Sequence, residues 1–191
     1  MAAPDVSATK QRILDAAVAE FGAYGLAGAR IDRIASAAKA SKERLYAYFG
    51  DKVALFHAVL DTNFAEAMER LSFDGADLPD QAVALFDDML AKPDIQRMMI
   101  WGQLQGESIR MRELAESHPS WERRIGAIRR AQSDGIVDAR WDPAELVTMM
   151  FGIVFGWLVA PCADGNDGLD EAGLAHRREV VREAVRRICQ G

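Results

Sequence analysis

The side chains best suited to contacting a nucleic acid lie together in one short stretch of the chain, residues 31–52. It contains Lys42 and Arg44, and these residue types can donate hydrogen bonds to guanine O6 and N7 or to phosphate oxygens. The hydroxyl group of Tyr46 is suited to a phosphate oxygen. Lys52 stands where a following helix would begin, a position whose backbone amides and dipole favour an anion. These residue types at this spacing favour contact with DNA.

Two short helices joined by a turn are predicted to position these side chains. Ile31 and Ile34 repeat with helical period, and Ser41 can cap a second helix in which Leu45 and Phe49 face inward. The pattern matches a helix-turn-helix, although an ordinary solvated helical hairpin has the same pattern. The second helix is too short to be stable alone, so flanking helices must hold it. Its exposed face is predicted to carry Lys42, Glu43, Arg44, Ala47 and either Tyr46 or Tyr48.

The charge of the chain is distributed unevenly. The 191 residues carry a net charge of −6, and the isoelectric point is about 5.1. Residues 1–60 nevertheless contain 8 lysine and arginine residues against 6 aspartate and glutamate residues, whereas residues 61–191 contain 15 against 23. A small basic element on an acidic body is expected of a DNA reader attached to a second domain, and chance clustering is the alternative.

Helical periodicity extends over the rest of the chain. Thr9 can cap a first helix that Gly25 closes, and Asp51 can cap a long helix that continues to Leu71. No alternating strand pattern occurs, so the predicted fold is all-α with about nine helices. In the second half, helices are predicted at about 80–91, at 95–116 with an interruption near Gly102 or Gly106, and at 120–133, 143–161 and 171–189.

The residue patterns needed for catalysis in a helical bundle are missing from the sequence. A di-iron carboxylate site needs Glu-x-x-His pairs, but alanine, alanine and glycine stand three residues before His57, His118 and His176. No phosphate-binding glycine loop, nucleophile elbow or His-Glu-x-x-His motif occurs. Cys162 and Cys189 are too few for a disulfide scaffold and fit a reducing, cytoplasmic setting. We therefore expect no enzyme activity, no cofactor and no metal.

The uncharged stretch at residues 146–163 allows two interpretations. Its eighteen residues are at the short limit for a membrane span, and Gly152 with Gly156 forms a small-xxx-small pair. The stretch lacks basic flanks, however, and Pro161 lies near its end. We expect a helix that packs on its own core with one face and on a partner with the other, and a membrane anchor is the alternative.

Four motifs follow one another over about residues 9–60. They are Thr9-Lys-Gln-Arg-Ile-Leu-Asp-Ala-Ala with Phe21 and Gly25, then Ile34-Ala, then Ser41-Lys with Leu45-Tyr46-Ala-Tyr48-Phe49, and then Lys52 with Leu55-Phe56. Together they resemble the tetracycline-repressor (TetR) family of bacterial transcriptional regulators. The most specific part is the Leu-Tyr-x-Tyr-Phe string followed three residues later by lysine.

The resemblance implies a repressor that binds a near-palindromic double-stranded operator as a homodimer. It also implies an arm at 1–8, a helix-turn-helix domain at 9–52, and a ligand-binding and dimerisation domain at 53–191. The dimer would form through the helices near 143–161 and 171–189, and a small effector would release the DNA. The positions that correspond to DNA contacts in the family are Arg30, Ser41, Lys42, Glu43, Arg44, Tyr46, Ala47, Tyr48 and Lys52.

Three positions depart from the family pattern. Ala29 replaces a threonine that caps the first helix of the motif, and Lys39 replaces a turn glycine, so that a positive φ there would be strained. Glu43 replaces a small residue with an acid, which would repel phosphate unless it bonds a cytosine amino group or pairs with a neighbouring cation. The alternative function is therefore a helical ligand-binding module that no longer binds DNA.

An effector pocket is predicted from aromatic and methionine positions between helices, although such positions more often belong to a core. Few polar residues interrupt these faces, so any effector is expected to be apolar or aromatic. The candidate lining residues are Phe64, Phe86, Met89, Met98, Trp101, Gln105, Trp121, Met150, Phe151 and Trp157.

Overall fold

The computed structural model describes residues 6–70, 77–159 and 169–190. Every regular element in these ranges is an α-helix, which confirms the predicted all-α class. The ten helices are α1 (Val6–Gly28), α2 (Ile31–Ala37), α3 (Lys42–Phe49), α4 (Lys52–Arg70), α5 (Leu78–Ala91), α6 (Pro93–Leu104), α7 (Ser108–Ser117), α8 (Pro119–Ser133), α9 (Pro143–Val159) and α10 (Glu171–Gln190).

The ends of α3 and the start of α4 lie where local chemistry predicted them. The Ser41 hydroxyl accepts a hydrogen bond from the Arg44 amide at 3.2 Å, so Ser41 is the N-cap of α3. Gly50 ends α3 with a φ of 86°. The Asp51 carboxylate then accepts from the Ala54 amide at 2.8 Å at the start of α4. Each of these interactions spans at most three residues, which is why sequence patterns reveal them.

One helix boundary differs from the prediction, and the interruption expected near Gly102 or Gly106 is present. Because α1 begins at Val6, Thr9 lies inside the helix rather than at its N-cap, and its hydroxyl accepts from Arg12 at 3.0 Å. The helix predicted over 95–116 is divided into α6 and α7, and Gly106 between them has a φ of 87°. This division raises the number of helices to ten in the described residues.

The apolar stretch at 146–163 is described only as far as Val159, the last residue of α9. None of the helices in the described ranges is both long enough and apolar enough to cross a membrane. The rest of that stretch, the loop predicted at 163–170 and the N-terminal arm lie wholly or partly outside the described residues.

The described residues form two compact units. The first unit comprises those within Met1–Ala67 and Lys92–Ala115, so that α6 and most of α7 join the N-terminal helices. The second unit comprises those within Met68–Ala91 and Glu116–Gly191. In the second unit α5 and α9 pack with α10, and two arginines of α10 form ion pairs with α5, Arg178 with Asp87 and Arg182 with Asp80.

The core of the first unit surrounds the short helix α3. Leu45, which is fully buried, joins a cluster that includes Phe21 of α1, Ile34 of α2 and Phe56 of α4. The rings of Phe21 and Phe56 meet edge to face with their centroids 5.0 Å apart. Met98 of α6 belongs to the same core. Burying a leucine side chain stabilises a fold by about 1.5–3 kcal/mol, and the partly buried Tyr48 and Phe49 pack against the same core, so all three side chains hold α3 in place.

Helix α6 lies directly against α1 at two glycines. A Cβ atom at Gly22 would lie 2.7 Å from the carbonyl oxygen of Asp94, and one at Gly25 would lie 2.8 Å from the ring of Trp101. Gly25 also has a φ of 63° and a ψ of 179°, a conformation that is essentially restricted to glycine. Both the backbone conformation and the space therefore require glycine at position 25.

We expect Gly25→Ala to destabilise the protein more than Gly106→Ala. Each glycine has a positive φ, and such backbone strain costs about 1–3 kcal/mol in another residue. Only at position 25 does the added methyl group also collide with Trp101, since nothing lies within 4 Å of a Cβ atom at Gly106. Denaturant unfolding of both variants measures the difference. Trp101→Ala should reduce the effect of Gly25→Ala, and equal losses in the two glycine variants would show that the ring yields without cost.

Candidate nucleic-acid interface

Helices α2 and α3, joined by residues 38–41, form a helix-turn-helix in the first unit. On α3 the residues that face away from the core are exposed, and Tyr46 is 46% exposed. Tyr48 is half-buried and packs edge to face on Phe49 with ring centroids 6.3 Å apart. The exposed residues of α3 are Lys42, Glu43, Arg44, Tyr46 and Ala47. Their contact with DNA stays a prediction.

The turn between α2 and α3 contains a strained residue. Lys39 has a φ of 52°, and it is the one non-glycine residue with positive φ among those that the structure describes. A lysine in this left-handed region is disfavoured because its Cβ atom crowds the backbone. The strain that the sequence suggested at this position is therefore present, and the core contacts of α2 and α3 impose it.

The start of α2 differs from the family-based expectation. Its N-cap is Arg30 rather than Ala29, and the Arg30 side chain forms no capping hydrogen bond. Instead, the backbone amide of Arg30 donates to the carboxylate of Glu20 on α1 at 2.8 Å. A contact with an acid of another helix therefore holds the N-cap residue of α2, while no side chain caps the helix.

Glu20 joins α1 to α2 through a second contact. Arg33 of α2 donates from Nε to both oxygens of Glu20, at 2.8 and 3.0 Å, and its Nη2 lies 2.5 Å from one of them. The Arg33 guanidinium also lies over the ring of Tyr24, 4.3 Å from its centroid. Burial opposes ionisation of Glu20, but the hydrogen bonds from Arg33 and from the Arg30 amide outweigh it and lower the Glu20 pKa.

Glu20 was not among the residues selected from the sequence. A signal was present, because Glu20 lies three residues after Ala17 and just before Phe21, on the apolar stripe of α1, and is only 8% exposed. A charged residue on such a stripe usually has a partner when it is buried.

Several charged side chains of the interface already have partners within the protein. Lys42 Nζ lies 2.5 Å from Asp32 Oδ1 on α2. The pKa of Glu43 is lowered, first by its own backbone amide and then by the Ser41 hydroxyl, so its carboxylate is stabilised at the start of α3. Among the described residues, no ion pair or hydrogen bond engages the guanidinium of Arg44.

Lys52 lies at the start of α4, as expected, but its ammonium group is directed at backbone carbonyls. Its Nζ donates to Ala29 at 3.2 Å and to Ala27 at 3.4 Å. The Ala27 carbonyl belongs to the last turn of α1, and the Ala29 carbonyl belongs to the connection between α1 and α2. Lys52 therefore ties that connection to α4 as well as offering a cation near it.

The ten predicted pocket residues are divided between the two units. Phe64, Met98, Trp101 and Gln105 lie in the first unit, and the other six lie in the second. Trp101 and Gln105 are exposed, whereas Phe64, Trp121, Phe151 and Trp157 are half-buried and the four remaining residues are buried: Phe86, Met89, Met98 and Met150. An open groove of the second unit is lined by Trp141, Ala144, Glu145, Thr148 and Met149, none of which was predicted.

The helix-turn-helix on an all-helical scaffold defines a DNA-binding regulator. Residues 13–59 match the family described as "Bacterial regulatory proteins, tetR family", and residues 77–187 match "Tetracyclin repressor-like, C-terminal domain". The chain belongs to the TetR family of transcriptional regulators, which confirms the resemblance seen in its motifs.

Bacterial relatives align with nearly the whole chain. The HTH-type transcriptional repressor SCO4008 of Streptomyces coelicolor is 33% identical, and the alignment covers 98% of each protein. The crystal structure of the regulator SCO4942 from the same organism is 35% identical, covers 95% of this chain and 98% of its own, and superposes with a TM-score of 0.78. FadR of Bacillus subtilis in complex with stearoyl-CoA is 17% identical and shares the fold, with a TM-score of 0.69 over 94% of this chain and 98% of its own.

We expect Glu20→Gln to lower both stability and DNA affinity. The substitution removes the charge that holds Arg33 and the start of α2, and losing a hydrogen bond to a charged group costs about 1–3 kcal/mol. Because the folded-state pKa of Glu20 is depressed, the stabilisation is present above its ordinary range and is lost as the pH falls through the folded-state pKa.

Thermal unfolding from pH 7 towards pH 3 tests this expectation. The difference between the wild-type protein and Glu20→Gln should shrink as the solution becomes acidic. Asp15→Asn removes one charge from the exposed side of α1 and serves as the control. A constant difference at every pH would contradict the electrostatic role of Glu20.

Proposed function

We propose that this regulator is a repressor that reads a near-palindromic operator through α3 and is released by an apolar or aromatic effector. The observation that carries the proposal is the exposed Arg44 guanidinium on a helix whose opposite face is anchored by Leu45. The repressor named SCO4008, which aligns with this chain over almost its full length, supports the direction of control.

The exposed residues of α3 divide the work of recognition. Arg44 is the base-reading residue in this proposal, because a guanidinium can form two hydrogen bonds with guanine, worth about 1–3 kcal/mol of discrimination. Lys42, Tyr46 and Lys52 contact phosphates, which supply much of the affinity and make it fall with salt. The surface around these phosphate and base contacts is formed by five further residues: Arg30, Ser41, Glu43, Ala47 and Tyr48.

We expect Arg44→Ala to weaken operator binding by about 5- to 150-fold and to relax the preference at one base pair per half-site. The operator would first be obtained by selecting random DNA duplexes on the purified protein at moderate salt. Arg129→Ala removes an exposed arginine from α8 in the second unit and should leave binding unchanged.

Two results would contradict the proposal. If Arg44→Ala binds the selected duplex as tightly as the wild-type protein, α3 does not read the bases through Arg44. If the selection recovers no shared motif, the alternative of a ligand-binding module that no longer reads DNA takes its place.

The dimer is proposed to form through α9 and α10. No described residue lies within 4 Å of a Cβ atom placed at Gly152 or at Gly156 of α9. Val159 at the end of the same helix is 50% exposed, and Val180 of α10 is 38% exposed. An uncovered small-residue surface next to exposed valines is suited to close approach of a second copy.

We expect Gly156→Arg to convert a dimer into a monomer while leaving the single chain folded. No described residue lies within 4 Å of a Cβ atom at this position, so we expect the longer side chain to collide with a partner subunit. Ala84→Arg, on the exposed side of α5, is the matched control. Light scattering measures the mass, and circular dichroism checks the helical content. A Gly156→Arg protein that remains dimeric would place the interface elsewhere.

The effector site is proposed in the second unit, around the half-buried aromatic residues Trp121, Phe151 and Trp157. Each of these side chains is partly exposed, and the Arg177 guanidinium lies over the Trp157 ring, 4.5 Å from its centroid. By contrast, the fully buried Phe86 and Met150 act as core. The structure of FadR of Bacillus subtilis in complex with stearoyl-CoA supports the idea that this fold accepts a long apolar chain. Linkage requires that operator DNA weaken effector binding by the same factor by which the effector weakens DNA binding.

A further inference from the structure

The first residue of α3 is tied to α2 by an ion pair that lies on the proposed DNA-reading surface. Lys42 Nζ and Asp32 Oδ1 are 2.5 Å apart, and the two side chains are 53% and 67% exposed. Within the described residues, Asp32 forms its ion pair with Lys42. The nearby Arg33 is paired with Glu20 instead. The pair is therefore open to solvent and to any approaching anion.

The position of Lys42 explains why it needs an anion. A helix N-terminus carries a partial positive charge, so a cation in the first turn is disfavoured unless a negative group compensates it. Asp32 supplies that group, and the resulting hydrogen bond raises the pKa of Lys42. A DNA phosphate has the same chemistry as the Asp32 carboxylate, an anionic oxygen that accepts from an ammonium group.

We propose that Asp32 competes with DNA phosphate for Lys42 and thereby limits the affinity of this regulator for DNA. The inference rests on the proposed reading surface, in which Lys42 contacts a phosphate. When DNA binds, Lys42 exchanges one anionic partner for another, so part of the gain from the phosphate contact is offset by the lost ion pair.

The neighbouring acid Glu43 forms no ion pair with Lys42 within the described residues. Glu43 lies in the first turn of α3, where its own backbone amide and the Ser41 hydroxyl lower the pKa of its carboxyl group. Asp32 is positioned by α2, whose start is held by Glu20 through the Arg30 amide and Arg33. The competing carboxylate is thus held at a fixed place by the same contacts that position the motif.

The test uses four full-length proteins: wild type, Asp32→Asn, Lys42→Gln and the double variant. Their affinity for the selected operator duplex is measured by fluorescence anisotropy at several salt concentrations. Exposed ion pairs are worth about 0.2–1 kcal/mol, so Asp32→Asn should bind about 1.5- to 5-fold more tightly at low salt. The gain should decrease as salt rises, because salt screens exposed pairs. Asp15→Asn, which changes the net charge equally, is the control.

The double variant separates competition from simple repulsion. If Asp32 acts through Lys42, Asp32→Asn should change the affinity little when Lys42 is already glutamine. An equal gain in both backgrounds would overturn the proposal, since Asp32 would then only repel phosphate. Weaker binding by Asp32→Asn would also overturn it, because Asp32 would then hold Lys42 in its productive position. If Lys42→Gln alone binds like the wild type, Lys42 contacts no phosphate. That result would contradict the phosphate contact assigned to Lys42 in the proposed reading surface, on which the competition by Asp32 rests.

Discussion

The burial of Leu45 is the contact on which the DNA-reading surface depends. Helix α3 has eight residues, too few to remain helical in water without support. Leu45 fixes it against Phe21, Ile34 and Phe56, which come from three other helices. The exposed face of α3 therefore has a defined direction only because its opposite face lies in a shared core. The helices around α3 supply the core in which Leu45 is buried.

A buried carboxylate joins two of these helices. Glu20 accepts from the Arg30 amide and from Arg33, so α1 holds the first turn of α2. This contact between helices makes the start of the motif depend on the ionised state of one acid. Such a contact is more sensitive to acid than a hydroxyl cap would be, since a hydroxyl group does not titrate in this range.

Several cationic side chains of the reading surface already have partners within the protein, so the composition overstates the number that is available to DNA. Lys42 is paired with Asp32, and Lys52 is hydrogen-bonded to backbone carbonyls. Arg44 is left as the cation of α3 without an internal partner among the described residues. In an acidic protein with a modest basic surface, such pairing is expected to weaken non-specific DNA binding, because that binding depends on unpaired cations.

The sequence by itself determined the helices and the class of motif. The caps at Ser41 and Asp51, the glycine end of α3 and the inward positions of Leu45 and Phe49 all depend on residues at most four positions apart. Local periodicity and turn chemistry are therefore sufficient to predict them.

Only the tertiary structure decided which distant side chains meet. Glu20 and Arg33 are 13 residues apart, and α6 joins the first unit although it follows α5 in the chain. The partner of Lys42 and the direction of Lys52 likewise depend on how α2, α1 and α4 pack together. No pattern within one helix contains this information, because the geometry between helices arises from burying several faces at once.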